Sequence, residues 1–405
     1  MHKAAVKKIF SRLLRRLGRR AARTSVTFRL TSVPANTPDG ATIYLAGSCN
    51  GWTTDDPAYA FSFDPAAGNY YLTLPPGRGT LDYKLCRGTW TTIETDADNL
   101  AVPNRRYIFG QGPREVQLQV LNWEDQGGFI PPRQHSASAN VHIISPAFAM
   151  PQLRRTRRVW VYLPPGYAEG ASHYPVLYLQ DGQNVFDQYT SFAGEWGVDE
   201  TLDALAASGH DLGGCLVVAV DNGGQHRLDE YSPWRNRRTG RGGEGEQYTE
   251  FLVKTLKPYI DHHYRTQPGR EATGILGSSM GGLLATYAAL RYPAVFGRVG
   301  VFSPAYWFAG QALLAYVAEQ SPRPDTRWYF VCGTQESPTM APLMAAIRDA
   351  LHDASVPASN LNFTTLADGQ HAEWFWQREF AAAYTWLFAE GLPAAGASSG
   401  ATVLA

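Results

Sequence analysis

Two serines lie side by side in the stretch GILGSSMGGLLATYAAL (274–290), and Gly277-x-Ser279-x-Gly281 spells the spacing G-x-S-x-G. A serine at a sharp strand-to-helix turn projects its hydroxyl where it can attack an acyl carbon, because flanking glycines remove Cβ clashes. The spacing by itself is weak. At this glycine content it arises by chance in roughly one chain in five, and here it recurs as Gly396-Ala397-Ser398-Ser399-Gly400. That second match sits in LPAAGASSGATVLA, with neither a strand nor a helix beside it. The first follows the extended run EATGIL and precedes the helical stretch GGLLATYAALRYP, so Ser279, the central residue, is the candidate nucleophile rather than Ser278. The competing reading is a close-packed turn with no chemistry.

A serine nucleophile needs a base, and the base needs an orienting group. Of ten histidines, His371 stands after the final strand-like run, in LADGQHAEWFWQREF, where a loop can return over the turn. His262 and His263, at a helix end in YIDHHY, read as surface or capping residues. For the orienting acid, WYFVCGTQESP offers Glu336 just beyond an apolar strand, and the order Ser279, Glu336, His371 is the Ser, acid, His order of α/β-hydrolases. Asp368, close to His371 in sequence, is the competitor and more naturally shapes a turn. An oxyanion needs backbone donors: one is the N–H of Met280, and the turn Asp181-Gly182-Gln183 after the apolar run VLYLQ is placed to supply another.

The elements that must hold these groups divide the chain. Over 25–122, short alternating segments such as SVTFRL, ATIYLAG, NYYLTL and REVQLQVLNW are separated by turn-rich stretches, which predicts a small antiparallel, immunoglobulin-like all-β sandwich. A Gly-, Pro- and Ser-rich stretch (123–140) reads as a linker. Over 141–392, runs apolar on both faces (VWVYLP, PVLYLQ, CLVVAV, RVGVF, WYFVCG) alternate with helical segments at 247–263, 282–291, 340–352 and 372–388. This predicts an α/β domain with a mostly parallel sheet covered by helices on both sides. Residues 393–405 read as a solvated tail.

The second domain resembles the esterases of the α/β-hydrolase fold that include esterase D-like, enterochelin and feruloyl or acetyl-xylan esterases and mycolyltransferases. The resemblance rests on YLQDGQNVFD, EWGVDETLD, VVAVDNGGQHRLDEYSPW, FLVKTLKPYID, GILGSSMGG, CGTQES and GQHAEWFW. It implies Ser279 as nucleophile, Glu336 as acid and His371 as base, with Trp374 and Trp376 near the family's tryptophan position. It also implies the Gln183 N–H as second oxyanion donor, although DGQN replaces the commoner HGGG-like loop. The N-terminal segment resembles starch- and glycogen-binding modules through IYLAGSCNGWTTDDPAYAF, GTLDYKLCRGTWTTIETDADN and PNRRY. This implies Trp52 and Trp90, with Asn104 nearby, as a sugar platform, since an indole face stacks on the apolar face of a pyranose. Sandwich aromatics also serve simply as core. The reading is a serine carboxylic ester hydrolase working through an acyl-enzyme on a small-molecule or carbohydrate ester of acetyl or feruloyl type. Alternatives are a siderophore esterase, an acyltransferase, or a catalytically silent carbohydrate-binding protein.

Charge and cysteine usage narrow the field. Residues 1–24 hold nine Lys or Arg and no acid, which leaves 27 basic against 36 acidic residues for the remainder. An acidic body excludes nucleic acid as its partner. The head is a basic amphipathic helix that could touch an anionic membrane, or else a frayed leader. Its arginines interrupt any secretory apolar core, and a cytoplasmic location is expected. Cys49, Cys86, Cys215 and Cys332 show no metal-ligand spacing, so reduced thiols and no metal or organic cofactor are expected. The arginine-rich insert 232–247 (Arg235, Arg237, Arg238, Arg241) reads as a solvated loop.

Overall fold

The computed structural model describes residues 24–389 except 98, 100, 101, 103, 127–133, 192–193 and 238. The basic head, with the exception of Thr24, and the second G-x-S-x-G lie outside the described residues, as does Arg238. Two units divide at 133/134.

The first unit is β-rich. Strands β1 (Thr24–Ser32), β2 (Tyr44–Gly47), β3 (Ser62–Asp64), β4 (Asn69–Gly77), β5 (Gly79–Cys86), β6 (Glu94–Thr95), β7 (Arg105–Phe109), β8 (Glu115–Gln119) and β9 (Asn122–Trp123) form sheets ordered β3-β4-β1-β8, β2-β5-β7 and β6-β9. Alternate residues of β1 (Val26, Phe28, Leu30) are buried with Leu72, Leu74, Tyr83, Leu85, Tyr107 and Trp123 in one core, as a period-two pattern requires. One feature departs from an all-antiparallel arrangement. β1 pairs with β4 antiparallel but with β8 in parallel, because the last long strand of the unit returns beside the first and runs in the same direction.

The second unit carries an eight-stranded mixed sheet. Its strands are β10 (Val141–Met150), β11 (Arg155–Tyr162), β12 (Val176–Gln180), β13 (Leu216–Val220), β14 (Thr273–Ser278), β15 (Arg298–Phe302), β16 (Arg327–Gly333) and β17 (Leu361–Leu366), in the order β10-β11-β13-β12-β14-β15-β16-β17. The first two pairings are antiparallel and all later ones parallel. Every residue of β12, β13 and β14 is buried, the consequence of helices on both faces.

The helices are α1 (Val198–Ala207), α2 (Arg227–Glu230), α3 (Gly245–Phe251), α4 (Lys257–His263), α5 (Met280–Arg291), α6 (Gly310–Glu319), α7 (Met340–Asp353) and α8 (Glu373–Phe388). A π turn (Leu252–Leu256) joins α3 to α4, making the single long helix that the sequence suggested. Helices α1 and α6 were not anticipated. None of the helices among the described residues is long and apolar enough to cross a membrane.

Two stretches read as loops have definite partners. Trp123 is fully buried in the first unit's core, and 134–140 is bound to the second unit: His135 to Asp187, Ser136 to Glu195, Ser138 to Asp199 and Asn140 to Asp203. Within 232–247, Arg241 pairs with Asp229 at 3.1 Å, and the Gly242 N–H donates to the same carboxylate. All four cysteines are free.

Candidate active site

Strand β14 runs into Ser278, buried as its last residue, and the chain then reverses into α5. The reversal falls on Ser279, whose φ of 54° and ψ of −119° are unusual for a residue with a side chain. Such strain persists only where the surroundings fix it. Here the Ser279 N–H donates to the Phe302 carbonyl at 2.9 Å and its carbonyl accepts from Ala305 N–H at 2.8 Å, so the adjacent strand end grips the turn on both sides. Gly277 is obligatory: a Cβ there would lie 2.4 Å from Gln180 Oε1 and 2.7 Å from the Gly281 backbone carbon.

The loops that follow β16 and β17 meet at a second close approach. A Cβ on Gly333 would lie 1.9 Å from the Gly369 carbonyl oxygen, and the Thr334 N–H donates to the Leu366 carbonyl at 2.8 Å. This crossing brings Glu336 and His371 together, Nδ1 to Oε2 at 2.8 Å. The other oxygen, Oε1, accepts from the Ser303 hydroxyl and the Gly333 N–H, both at 2.6 Å. Glu336 is 3% exposed. A carboxylate in its ionised form only accepts; opposite it, Nδ1 would carry the hydrogen and Nε2 would be left as the basic nitrogen. Trp376 donates its indole N–H to Ser303 Oγ at 2.9 Å and stands edge-on to His371, with ring centroids 5.2 Å apart. Asp368 turns elsewhere, to Arg378 at 2.5 Å.

Phe302, which accepts from Ser279, immediately precedes Ser303, which donates to Glu336, which holds His371. The three sequence-singled residues therefore share one chain of contacts at the carboxyl edge of the sheet. A direct Ser279–His371 hydrogen bond is not among the contacts of the described residues.

The turn after β12 is also fixed. Asp181 adopts the left-handed conformation (φ 58°) and opens a short 3₁₀ helix, Gly182–Asn184. Arg227 grips its carboxylate with two bonds, 2.6 and 2.8 Å, and Asn222 adds a third at 2.7 Å. Gln183 accepts through its side chain from Asn222 N–H at 3.0 Å and through its carbonyl from Thr190 Oγ1 at 2.8 Å. Gln183 and Met280 each stand in the first turn of a helix, where backbone N–H groups have no intrahelical acceptor.

Sequence reasoning did not single out Ser303, Arg227 or Glu373. Ser303, with φ 42°, ties Trp376 to Glu336; its place directly after β15, the neighbour of the nucleophile strand, was the available signal. The pair Asp181–Arg227 locks the turn. Glu373 begins α8, receives Asn184 Nδ2 at 3.3 Å, and has its carboxyl raised to about 7, chiefly by burial, with Asp181 adding to the rise and His371 and Arg227 opposing it.

In the first unit, Trp52 and Trp90 are half-buried, 6.3 Å apart between ring centroids. Trp52 has φ 63°, and Trp90 packs on Ala46, Cys86 and Ile93. Asn104 is exposed before β7.

Residues 151–387, more than half of the chain, match the family model described as "Putative esterase". The chain belongs to this esterase family. An alpha-amylase of Niallia circulans is 43% identical over 103 residues, 25% of this chain and 8% of that protein. The endo-1,4-beta-xylanase/feruloyl esterase of Xylanibacter ruminicola is 28% identical over 186 residues, 44% of this chain and 23% of that protein. The chain thus spans under a quarter of the length of either relative. Among solved structures, the enterobactin esterase of Shigella flexneri superimposes with a TM-score of 0.51 at 18% identity, covering 90% of this chain and 92% of that one. At that identity the likeness is one of fold. Family membership makes this a carboxylic ester hydrolase.

Proposed function

We propose that the esterase works as a serine hydrolase: Ser279 attacks the ester carbonyl, His371 Nε2 takes its proton, and Glu336 steadies the imidazolium. The N–H groups of Met280 and Gln183 receive the oxyanion; His371 then protonates the departing alcohol, and water releases the acyl group from Ser279. The observation that carries this reading is the 2.8 Å contact of His371 Nδ1 with a buried Glu336 whose other oxygen is already engaged. That arrangement leaves Glu336 Oε2 for the imidazole and supports Nε2 as the base. The Ser279–His371 contact would close when substrate excludes water, since such contacts commonly lengthen in free enzymes.

The substrate proposed is an ester-substituted carbohydrate of acetyl or feruloyl type, with Trp52, Trp90 and Asn104 as a polysaccharide platform on an immunoglobulin-like first unit. The paired indoles and the two carbohydrate-enzyme relatives support it. A second reading, a siderophore ester, is favoured by the fold likeness to an enterobactin esterase over 90% of this chain. Turnover of a short-chain nitrophenyl ester by wild type, reduced about 10³-fold or more in Ser279→Ala without loss of fold, tests the mechanism. A screen of acetylated, feruloylated and catecholate esters then separates the substrates. Equal turnover by Ser279→Ala would remove the serine mechanism.

A further inference from the structure

We propose that Glu195, Asp199 and Glu200 form a binding site for a divalent cation of the calcium type, apart from the catalytic cluster. The three side chains bring one ligand oxygen each to within 4.8 Å of one another. Asp199 is 0% exposed. Its Oδ2 accepts from the Ser138 N–H at 2.7 Å, while Oδ1 is buried with no N–H or hydroxyl donor, and the side chain that Asp199 meets is the Glu200 carboxyl. Glu195 is held by the Ser136 hydroxyl, 2.9 Å from both carboxylate oxygens.

A buried carboxylate oxygen with no donor is costly unless a proton or a cation satisfies it. Among the described residues no basic side chain pairs with them: the charges acting on Glu195 come from Glu200 and Asp187, and those on Asp199 from Glu200. Because Asp199 and Glu200 occupy the first turn of α1, the helix dipole favours their charge. It does not account for the Oδ1 that lacks an N–H or hydroxyl donor or for the third carboxylate converging from outside the helix.

Oxygen-only donors exclude a soft transition metal. Three carboxylates with one side open to water through exposed Glu200 suit calcium, which accepts irregular coordination completed by water, better than magnesium, which demands near-octahedral geometry. The same segment braces the oxyanion turn: the Trp196 N–H donates to the Asn184 carbonyl at 2.8 Å and the Val198 N–H to the Val185 carbonyl at 3.2 Å. A bound ion would therefore stabilise the fold around α1. The Glu195-x-x-x-Asp199-Glu200 spacing escapes a search built on Cys and His ligands.

The test uses the full chain freed of metal with chelator and titrated with calcium chloride, magnesium chloride or terbium chloride alone. Near saturation, calcium should raise the unfolding midpoint by about 5 °C, and magnesium by less. Terbium emission sensitised by neighbouring Trp196 should appear and be displaced by calcium. Glu200→Gln, an exposed change that leaves the fold intact, should lose both responses, and Asp199→Asn should do the same if it folds. Absence of a calcium shift and of terbium emission up to about 10 mM ion would overturn the proposal. So would a metal-free Glu200→Gln protein that melts higher than wild type while wild type ignores calcium, since that assigns the cluster to carboxyls sharing a proton. None of these readouts involves turnover, so the outcome is independent of the catalytic reading.

Discussion

Glu336 has both oxygens engaged, and the division of labour between them sets two expectations. Replacing it with Gln keeps the shape but puts an amide where His371 needs an acceptor only, so kcat should fall about 10³- to 10⁴-fold with little change in KM. Steady-state kinetics on a soluble ester would check this. Ser303→Ala leaves the Trp376 indole N–H unpaired and removes one donor from Glu336; unfolding should become easier by about 1–3 kcal/mol, read by urea titration, with a smaller loss of kcat than at Glu336. Glu373 supplies a pH signature. Its carboxyl is raised from 4.5 to about 7 by burial, so between those values the folded chain holds a proton that the unfolded chain has released. The contribution of this group to stability therefore declines as pH rises from about 4.5 to about 7 and is constant above. In Glu373→Gln this contribution is removed, so across that window the variant should gain on wild type by on the order of 3 kcal/mol, measured by urea melts at its two ends. Ser279, Glu336 and His371 could be singled out from the sequence because each stands in the stretch that follows a strand, in an order that the chemistry constrains. Ser303 and Glu373 were not, because their significance is a contact between loops from different strands, which no spacing along the chain records.

Elements position those residues through two places where backbone passes backbone. At Gly277 and at the Gly333–Gly369 crossing a methyl group has no room, the obstacles being main-chain atoms and Gln180 Oε1. Gly277→Ala should cost about 3 kcal/mol, visible as a lowered midpoint in urea. Gly333→Ala should push apart the loops of Glu336 and His371, lowering kcat well beyond what its stability loss explains. The parallel strands were legible as unbroken apolar runs, and α5, α7 and α8 as long segments between them. Helix α1 was not, since Asp199, Glu200 and Asp203 interrupt VDETLDALAA and read as polar loop until Leu202 and Val198 are seen buried. Helix α6 was missed for a related reason. The sequence YWFAGQALLAYVAEQ is mostly small and apolar, with Gln311 the one polar side chain before Glu319 apart from the tyrosines, so its period is weak. In the first unit the alternation of strands was plain, but direction was not: alternation reads the same whichever way a strand runs, so the parallel β1–β8 pairing lay beyond it.

At the scale of the whole chain, each unit has its own core, so chemistry in one and retention in the other are separable observables. If the first unit holds polysaccharide, an indole face contributes about 1 kcal/mol per stacked ring, or roughly fivefold in affinity. The two tryptophans do not make equally clean tests. Trp90 packs on Ala46, Cys86 and Ile93, so truncating it also unsettles that cluster, and reduced binding would mix lost contact with lost structure. Trp52 is held in its turn by a backbone bond, N–H to the Gly47 carbonyl at 2.9 Å, which survives truncation of the side chain, although alanine at φ 63° retains the same backbone strain. Trp52→Ala should therefore lower retention on insoluble starch or xylan about fivefold, leaving the unfolding midpoint and the turnover of a soluble nitrophenyl ester near wild type. Trp90→Phe, which keeps an aromatic face on the cluster, should bind more weakly than wild type but better than Trp90→Ala. Unchanged retention in Trp52→Ala would mean that the indole pair is packing, and the acyl group of the substrate would then have to be sought through the esterase unit alone.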